Sequence, residues 1–520
     1  MNRPSESAAT AQAQPSTAEA PAAATEGYAQ LVRHHRRLHH LEHLQSITWW
    51  DQAVHMPAGG ATARAEALAE LAELMHGMRT DPAVRVWLEQ AHDETLQPDQ
   101  HANLREMARE WRGANGLPAE LVSRQQLATA ACEHAWRRLR PANDWDGFVP
   151  LFREVVACAR EQARLLSAQT GLSPYDALLD RHEPGMTSER LTQLFADIPD
   201  WLPGLIRQAR ARQQALPPLP LRGPFDTGAQ RALCLRVMGR LGFDFDGGRI
   251  DVSAHPFCGG VPQDIRMTTR YTEADFLGSL LGAVHECGHG RYEQNLPRDW
   301  IDQPLARARS MGIHESQSLA FEMQLGRHPA FIAAIGPWVR EAFGDGPALT
   351  DANLRRLMTQ VEPGRIRVDA DELTYAPHVL LRWRIERPLI EGEIEVEDIP
   401  ALWDAGMAEL LGLDTRGDFK DGPLQDVHWP EGLFGYFPCY TLGAMYAAQW
   451  MAALRAAVPD LDDRFARGDF SAFFDWMRHH VWQQGSRWPT DELARRASGT
   501  PLDPSHWRRH LEQRYLHDPW

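Results

Sequence analysis

Residues His285-Glu286-Cys287-Gly288-His289 form an H-E-x-x-H motif inside a segment with helical apolar spacing. On a helix, residues four apart lie on one face, so both imidazoles can ligate a single divalent ion. Glu286 leans toward the same face and can act as general base to a water at that ion. Cys287 points away from this face, and we expect it to be a small core residue. The motif therefore predicts a metal-dependent hydrolase.

Residues before the motif predict both its helix and a small sheet. Thr272, followed by acidic residues, has the pattern of a helix N-cap, and apolar residues then repeat at helical spacing up to the motif. Residues 249–253 and 264–271 have β-type composition on either side of a predicted turn at Gly259-Gly260. We expect a small sheet beside the metal-binding helix, with an edge strand that can pair with an extended substrate backbone.

Most of the remaining chain has the periodic apolar pattern of helices. The predicted helices span residues 28–45, 63–78, 99–113, 118–140, 145–170, 188–214, 311–327, 442–457 and 470–483. This pattern predicts a mainly α protein with one helical domain over residues 28–520. Residues 1–27 contain no Leu, Ile, Val or Phe, and their Ala, Pro, Ser and Thr predict a disordered tail.

A catalytic metal site of this kind needs a third protein ligand. Glu293 lies on the same predicted helix as His285, but about 12 Å further along a straight axis, too far to share one ion. The ligand should therefore come from the second helix, predicted over residues 311–327. Glu315 and Glu322 are seven residues apart on one face of that helix. Helix geometry leaves both of them as candidates.

Five further motifs accompany H-E-x-x-H in a fixed order. They are His255-Pro256-Phe257 (H-P-F), residues 264–268 (D-x-R-x-T), residues 314–317 (H-E-S-Q), residues 366–371 (I-R-x-x-A-D) and residues 422–429 (G-x-x-Q-D-x-H-W). In these motifs the chain resembles the thermostable carboxypeptidase Taq family of zinc metallocarboxypeptidases, over roughly residues 28 to 520. The resemblance implies a large helical zincin with a deep substrate groove, which releases C-terminal amino acids from peptides with broad specificity.

The resemblance also implies the ligand set and the assembly. It favours Glu315, the acidic residue of H-E-S-Q, over Glu322 as third ligand beside His285 and His289. It implies one divalent ion per chain, with Zn²⁺ expected and Co²⁺ as the alternative, because imidazole and carboxylate ligands accept both. It further implies a homodimer.

An exopeptidase needs a fixed cation for the carboxylate at the end of its substrate, and arginine suits this role by its planar fork and permanent charge. Arg365 and Arg367 follow a Pro-Gly turn, and Arg266 and Arg270 lie on a predicted strand. The family resemblance favours Arg367 as the anchor. We expect Arg266 to hold an acidic residue of the local scaffold.

A tetrahedral oxyanion needs a hydrogen-bond donor besides the metal. Tyr436, Tyr440, His428 and His255 are the candidates, and each of them could equally be part of an aromatic core.

Composition limits the partners and the compartment. The net charge of −16 argues against nucleic-acid or anionic-membrane partners. Six scattered cysteines without C-x-x-C pairing predict free thiols in a reducing compartment. Residues 1–27 lack the apolar core of a signal peptide, and no run of 18 apolar residues occurs. We therefore expect a cytoplasmic enzyme, and the family resemblance implies that its substrates are peptides.

Two rival functions share the metal residues. A helical zincin oligopeptidase would cut internally in short peptides, and it would lack the cation that closes the primed end of the groove. A zinc-stabilised scaffold would be non-catalytic, but a structural site has no need of Glu286 and usually fills its fourth position with another ligand.

Overall fold

The computed structural model describes residues 26–253 and 256–519. The predicted tail over residues 1–27 lies outside these residues except for its last two, which begin the first helix, so the tail stays a prediction. His255 also lies outside the described residues.

The amino-terminal half is a succession of helices joined by short loops. They are α1 (Glu26–Val54), α2 (Ala61–Arg79), α3 (Pro82–His92), α4 (Pro98–Asn115), α5 (Ala119–Leu139), α6 (Trp145–Thr170), α7 (Pro174–Leu179), α8 (Ser188–Phe195), α9 (Ile198–Gln214) and α10 (Thr227–Arg240).

After a small sheet the chain is helical again. The later helices are α11 (Leu277–Gln294), α12 (Met311–Leu319), α13 (Pro329–Phe343), α14 (Asp351–Met358), α15 (Tyr375–Glu391), α16 (Ile399–Leu411), α17 (Pro438–Ala457), α18 (Leu461–Ala466), α19 (Ser471–His480), α20 (Thr490–Ser498) and α21 (Ser505–Glu512). The mainly α class predicted from the sequence is confirmed. In the part of the chain that the structure describes, no helix combines the length and apolar character needed to cross a bilayer.

Local sequence explains where individual helices begin and end. The Asp144 side chain accepts a hydrogen bond from the Gly147 N–H at the start of α6, and Gly171 ends the helix at a φ of 75°. That backbone conformation favours glycine, so α6 has the predicted bounds. Residues 188–214 form two helices, α8 and α9, where the sequence predicted one.

Three strands form the sheet: β1 (Gly248–Val252), β2 (Phe257–Val261) and β3 (Asp264–Thr269). The central strand β3 pairs parallel with β1 and antiparallel with β2. Met267 of β3 packs against Gly290 of α11, which places the sheet beside the metal-binding helix as predicted.

Two details of this region were predicted wrongly. Gly259 and Gly260 lie within β2, because Gly260 with a φ of 95° bends the strand without ending it. The helix begins at Leu277 and not near Thr272. Its first turn is capped by Asp275, which accepts hydrogen bonds from the Leu277 and Gly278 N–H groups.

One large apolar core joins the helices to the sheet, and it includes Cys287 with no exposed surface. A smaller cluster lies between α1, α3 and α4, around Leu31 and Met107. All six cysteines are free thiols.

Candidate metal centre and active site

The H-E-x-x-H motif lies in the wall of a cavity of about 880 Å³. Residues of α11 and α12 form this wall, and α12 continues as a π-helix over Ala320–Gly326. The first turns of α17 and the segment around Arg367 form the opposite wall. A deep groove of this kind was implied by the family resemblance.

Three side chains converge inside this cavity. His285 and His289 of α11 and Glu315 of α12 offer ligand atoms that all lie within 4.8 Å of one another. The Oε2 atom of Glu315 lies 3.5 Å from the Nε2 atom of His289 and 4.0 Å from that of His285. Ligands about 2.0–2.2 Å from a tetrahedral zinc ion are about 3.3 Å apart, so these residues fit a metal with little movement.

Glu322, the other candidate from helix geometry, has a different position. Its Oε2 atom lies 3.0 Å from the Nδ1 atom of His285, and its Oε1 atom accepts a hydrogen bond from Arg327. A carboxylate at Nδ1 keeps the proton on that nitrogen and leaves Nε2 with its lone pair toward the metal position. Glu322 therefore contacts the Nδ1 side of His285, and Glu315 is the carboxylate that converges with the two histidines.

A series of hydrogen bonds through two further side chains orients His289. Its Nδ1 atom lies 2.6 Å from the Nδ1 atom of His314, whose Nε2 atom lies 2.9 Å from Oε1 of Glu293. When the His314 Nε2–H donates to Glu293, His314 Nδ1 accepts from His289 and leaves the His289 Nε2 lone pair free. Both histidines thus have the tautomer that a metal requires.

Close packing of helix backbones fixes the distance between these ligands. A Cβ atom built on Gly288 would lie 2.5 Å from the carbonyl oxygen of Gln317 in α12. A Cβ atom on Gly443 of α17 would lie 2.7 Å from the Cγ atom of Glu315. These glycines let α11 and α17 approach α12 from two sides, so Glu315 has little freedom to move.

Glu286 is buried in the cavity wall, with 8% of its surface exposed. Burial raises the pKa of its carboxyl group to about 7, and His285 opposes this rise. A carboxyl group with a pKa near neutrality can both accept and return a proton, as a general base must do.

Arg367 lines the same cavity and is 4% exposed. Its Nη2 atom donates to Oδ1 of Asp426 at 2.8 Å, while Arg382 donates from Nε to Oδ2 of the same carboxylate at 2.7 Å. The Arg367 guanidinium also lies 5.0 Å from the ring centre of Tyr440. One carboxylate is thus shared by two buried guanidinium groups, which leaves an excess positive charge beside the cavity.

Two of the other arginines named from the sequence, Arg365 and Arg266, have structural partners. Arg365 donates to Asp418 and Arg266 donates to Asp264, so Arg266 holds a local acidic residue as expected. Among the described residues that line the cavity, neither of these arginines occurs.

Two of the four oxyanion candidates line the cavity, Tyr436 and Tyr440. Burial raises the pKa of both phenols, so both keep their protons at neutral pH and can donate hydrogen bonds. His428 lies behind them, with its Nε2 atom 3.1 Å from the Tyr440 hydroxyl, and burial lowers its pKa to about 4. His428 therefore contacts Tyr440 as a neutral ring. His255, the fourth candidate, lies outside the described residues.

Sequence reasoning missed the residues that support the ligands. His314 and Glu322 lie on the predicted second helix, but only side-chain directions show that they contact the two histidines. Asp426 occurs in the G-x-x-Q-D-x-H-W motif, and the pairing of Asp426 with Arg367 joins parts of the chain 59 residues apart. No spacing rule connects residues at that separation.

Comparison with known proteins identifies the family of this chain. The sequence profile of the family described as Carboxypeptidase Taq (M32) metallopeptidase matches residues 30–515. Thermostable carboxypeptidase 1 of Thermus thermophilus is 37% identical over 500 residues, which cover 94% of this chain and 98% of the relative.

Solved structures give the same result. Metallocarboxypeptidase 1 of Trypanosoma cruzi has a TM-score of 0.93 at 45% identity, covering 95% of this chain and 100% of that one. An M32 carboxypeptidase of Deinococcus radiodurans has a TM-score of 0.89 at 34% identity, covering 94% and 98%. The chain therefore belongs to the Carboxypeptidase Taq (M32) metallopeptidase family and is a metal-dependent carboxypeptidase.

Proposed function

We propose that this carboxypeptidase releases C-terminal amino acids from peptides with broad specificity, using one divalent ion held by His285, His289 and Glu315. Zn²⁺ is the expected ion and Co²⁺ the alternative, since two imidazoles and a carboxylate suit both. The convergence of the three ligand atoms within 4.8 Å carries the proposal. When bound, the ion supplies Lewis acidity that polarises the scissile carbonyl and makes a water molecule more acidic.

Glu286 moves the proton in the proposed reaction. Its carboxylate accepts a proton from the attacking water, and the resulting carboxyl group returns that proton to the amine that leaves. Burial destabilises the Glu286 carboxylate and so makes it a better proton acceptor in the first step, and a pKa of about 7 still allows the carboxyl group to give the proton to the more basic amine.

Tyr436 and Tyr440 are the proposed donors to the oxyanion that develops on the scissile carbonyl. Both line the cavity and both keep their phenolic protons. His428 is a positioning residue in this proposal, because it lies against the Tyr440 hydroxyl and not in the cavity lining. For His255 the proposal rests on the family resemblance alone.

Arg367 is the proposed anchor for the terminal carboxylate of the substrate. Asp426 neutralises only one of the two guanidinium groups that it contacts, Arg367 and Arg382. A substrate carboxylate would neutralise the other charge, and a peptide with an internal scissile bond would not. This preference for a free carboxyl end distinguishes the enzyme from an oligopeptidase.

We further propose that the enzyme is a homodimer and that it acts in the cytoplasm. The family resemblance supports a homodimer. The six free thiols support a reducing compartment, and hence the cytoplasm.

Mass spectrometry of a peptide ladder tests this function. A ten-residue peptide with a free carboxyl end should lose residues one at a time from that end. A chelator should stop the loss, and added Zn²⁺ or Co²⁺ should restore it. The same peptide with an amidated end should be cleaved much more slowly. Internal fragments from both peptides at similar rates would instead indicate an oligopeptidase.

A further inference from the structure

A second large cavity adjoins the catalytic one. Its volume is about 1120 Å³, and Gln324 and Arg327 line both cavities. The π-helical end of α12, the later turns of α17 and the helix α21 contribute to its walls. The two cavities therefore meet at Gln324 and Arg327.

The lining of this second cavity, which we name the basic cavity, has more arginines than acidic residues, and burial lowers the pKa of three of its four histidines, His328, His506 and His510, so that these rings are neutral at pH 7. Five arginines and four histidines line it, against three acidic residues: Arg327, Arg355, Arg455, Arg509, Arg514, His328, His506, His510 and His517, with Asp462, Glu512 and Asp518. The whole chain has a net charge of −16, so the sign of this cavity is opposite to that of the molecule. A cavity of this kind attracts anions.

Two of the arginines make no hydrogen bond to a carboxylate among the described residues. Arg509 donates to Ser505 and lies 3.1 Å from the Nδ1 atom of His506. Arg355 forms an ion pair with Asp518 at 3.7 Å, beyond hydrogen-bond distance. Burial lowers the pKa of Arg355, Asp518 opposes this change, and Arg514 and Arg212 add to it. An anion in the cavity would relieve this crowding of positive charge.

The position of the basic cavity along α17 gives its distance from the metal centre. Gly443 packs against Glu315, and the α17 residues that line the basic cavity come later in the same helix, from Ala448 to Arg455. At 1.5 Å per residue they lie about 8–18 Å further along the helix axis. An extended peptide advances about 3.3–3.6 Å per residue, so two to five residues span this distance.

The direction of the peptide follows from the reaction. A carboxypeptidase leaves only one substrate residue beyond the scissile bond, so a site this far from the metal can be reached only by residues upstream of that bond. The basic cavity is therefore in reach of the fourth to the seventh residue from the carboxyl end of the substrate.

We propose that the basic cavity is an upstream substrate subsite, which binds aspartate or glutamate side chains at the fourth to seventh residue from the carboxyl end of the peptide. The inference rests on the proposed function, because it needs a peptide whose carboxyl end is at the metal centre. Arg355 and Arg509 select the acidic side chains of the substrate, because their guanidinium groups can still bind a carboxylate.

Paired peptides test the subsite. Three nine-residue peptides share their last three residues and carry glutamate, glutamine or lysine at the fifth and sixth positions from the carboxyl end. A blocked three-residue peptide with the same end is too short to reach the basic cavity. The measurement is kcat/KM for release of the last residue by the metal-loaded enzyme. We expect the glutamate peptide to exceed the glutamine peptide by about fivefold or more, and the difference to shrink as salt is raised.

The variant carrying both Arg355→Gln and Arg509→Gln should lose this preference and still cleave the short peptide at the parent rate. Arg464→Gln is the matched control, because Arg464 is an arginine of α18 that pairs with Asp460 outside both cavities. The control should keep the preference.

Four results would overturn the subsite. Equal cleavage of all three long peptides by the parent enzyme is one, and a preference kept by the double variant is another. An effect of inorganic phosphate on cleavage of the short peptide in the parent, but not in the double variant, would indicate a site for a small effector instead. Failure to release the last residue from any peptide, the short one included, would overturn the carboxypeptidase function together with this subsite.

Discussion

The Nδ1 atom of His314 lies 2.6 Å from the Nδ1 atom of His289, so a residue outside the ligand set determines which nitrogen of His289 faces the metal position. The series of hydrogen bonds continues to Glu293, which accepts a hydrogen bond from the other ring nitrogen of His314. We therefore expect metal affinity to depend on His314, which is not one of the three proposed ligands.

Replacing His314 by alanine should therefore weaken metal binding by about 10- to 100-fold, because His289 loses the partner that fixes its tautomer and ring orientation. Competition with a chelating dye measures this affinity without reference to activity. His34→Ala is a matched control, since His34 is also buried but lies in the wall of a different small cavity. Equal affinities of the parent and the His314 variant would contradict the role.

Glu315 and Glu322 should differ in the same measurement. Glu315→Gln removes a charged ligand position and should lose the greater part of the metal affinity. Glu322→Gln removes only the charge beside Nδ1 of His285 and should cost about 10- to 100-fold. A larger loss in the Glu322 variant would exchange the roles of the two residues.

The contrast between these glutamates shows how far the sequence determines the site. Helical periodicity placed both of them on one face, and this was correct. Choosing between them depends on how α12 is turned toward α11, which follows from the close contact at Gly288. Tertiary packing of that kind leaves no local pattern, and only the family resemblance indicated Glu315.

The sheet shows the same limit for the fold. The strands β1 and β3 were predictable from β-type composition, but β2 and the path of the chain at Gly260 were not. A glycine at positive φ is compatible with either a turn or a bent strand, and the pairing of β2 with β3 decides between them. Similarly, Thr272 and Asp275 both suit a helix cap, and the contacts of the first turn select Asp275.

Glu286→Gln should separate metal binding from catalysis. The amide has nearly the same shape but cannot accept the proton of the attacking water, so turnover should fall by about a hundredfold or more. The metal content per chain should stay at the parent value, because the ligands are unchanged. Near-normal turnover in the metal-loaded variant would exclude Glu286 as the base.

Glu183 should make the stability of the protein depend on pH. Its Oε2 atom accepts from the Gly312 N–H at the start of α12, and burial raises its pKa from 4.5 to about 7. The folded protein therefore binds this proton more tightly than the unfolded chain does. Stability is lost as pH rises from about 4.5 to 7, by at most about 3 kcal/mol.

The variant Glu183→Gln keeps an acceptor for Gly312 and removes the titration. As the pH rises from 5 to 8, the thermal midpoint of the parent should therefore decrease relative to that of the variant. Using the difference between the two proteins cancels the pH dependence of metal binding, which both share. A difference in midpoint that does not change over this range would show that Glu183 does not titrate there.

Arg367 should give the enzyme its preference for peptides with a free carboxyl end. Arg367→Ala removes the partner proposed for the terminal carboxylate, and the loss of a buried charge pair should reduce kcat/KM on free-acid peptides by about a hundredfold or more. Arg367→Lys should restore activity only in part, because an ammonium group cannot form the paired hydrogen bonds of the fork.

Arg365→Ala is the matched control, two residues away and paired with Asp418 outside the cavity. Amidated peptides, which lack the charge, should be affected far less, and metal content should not change. If the Arg367 variants cleave free-acid peptides as well as the parent does, the anchor lies on another residue of the cavity wall.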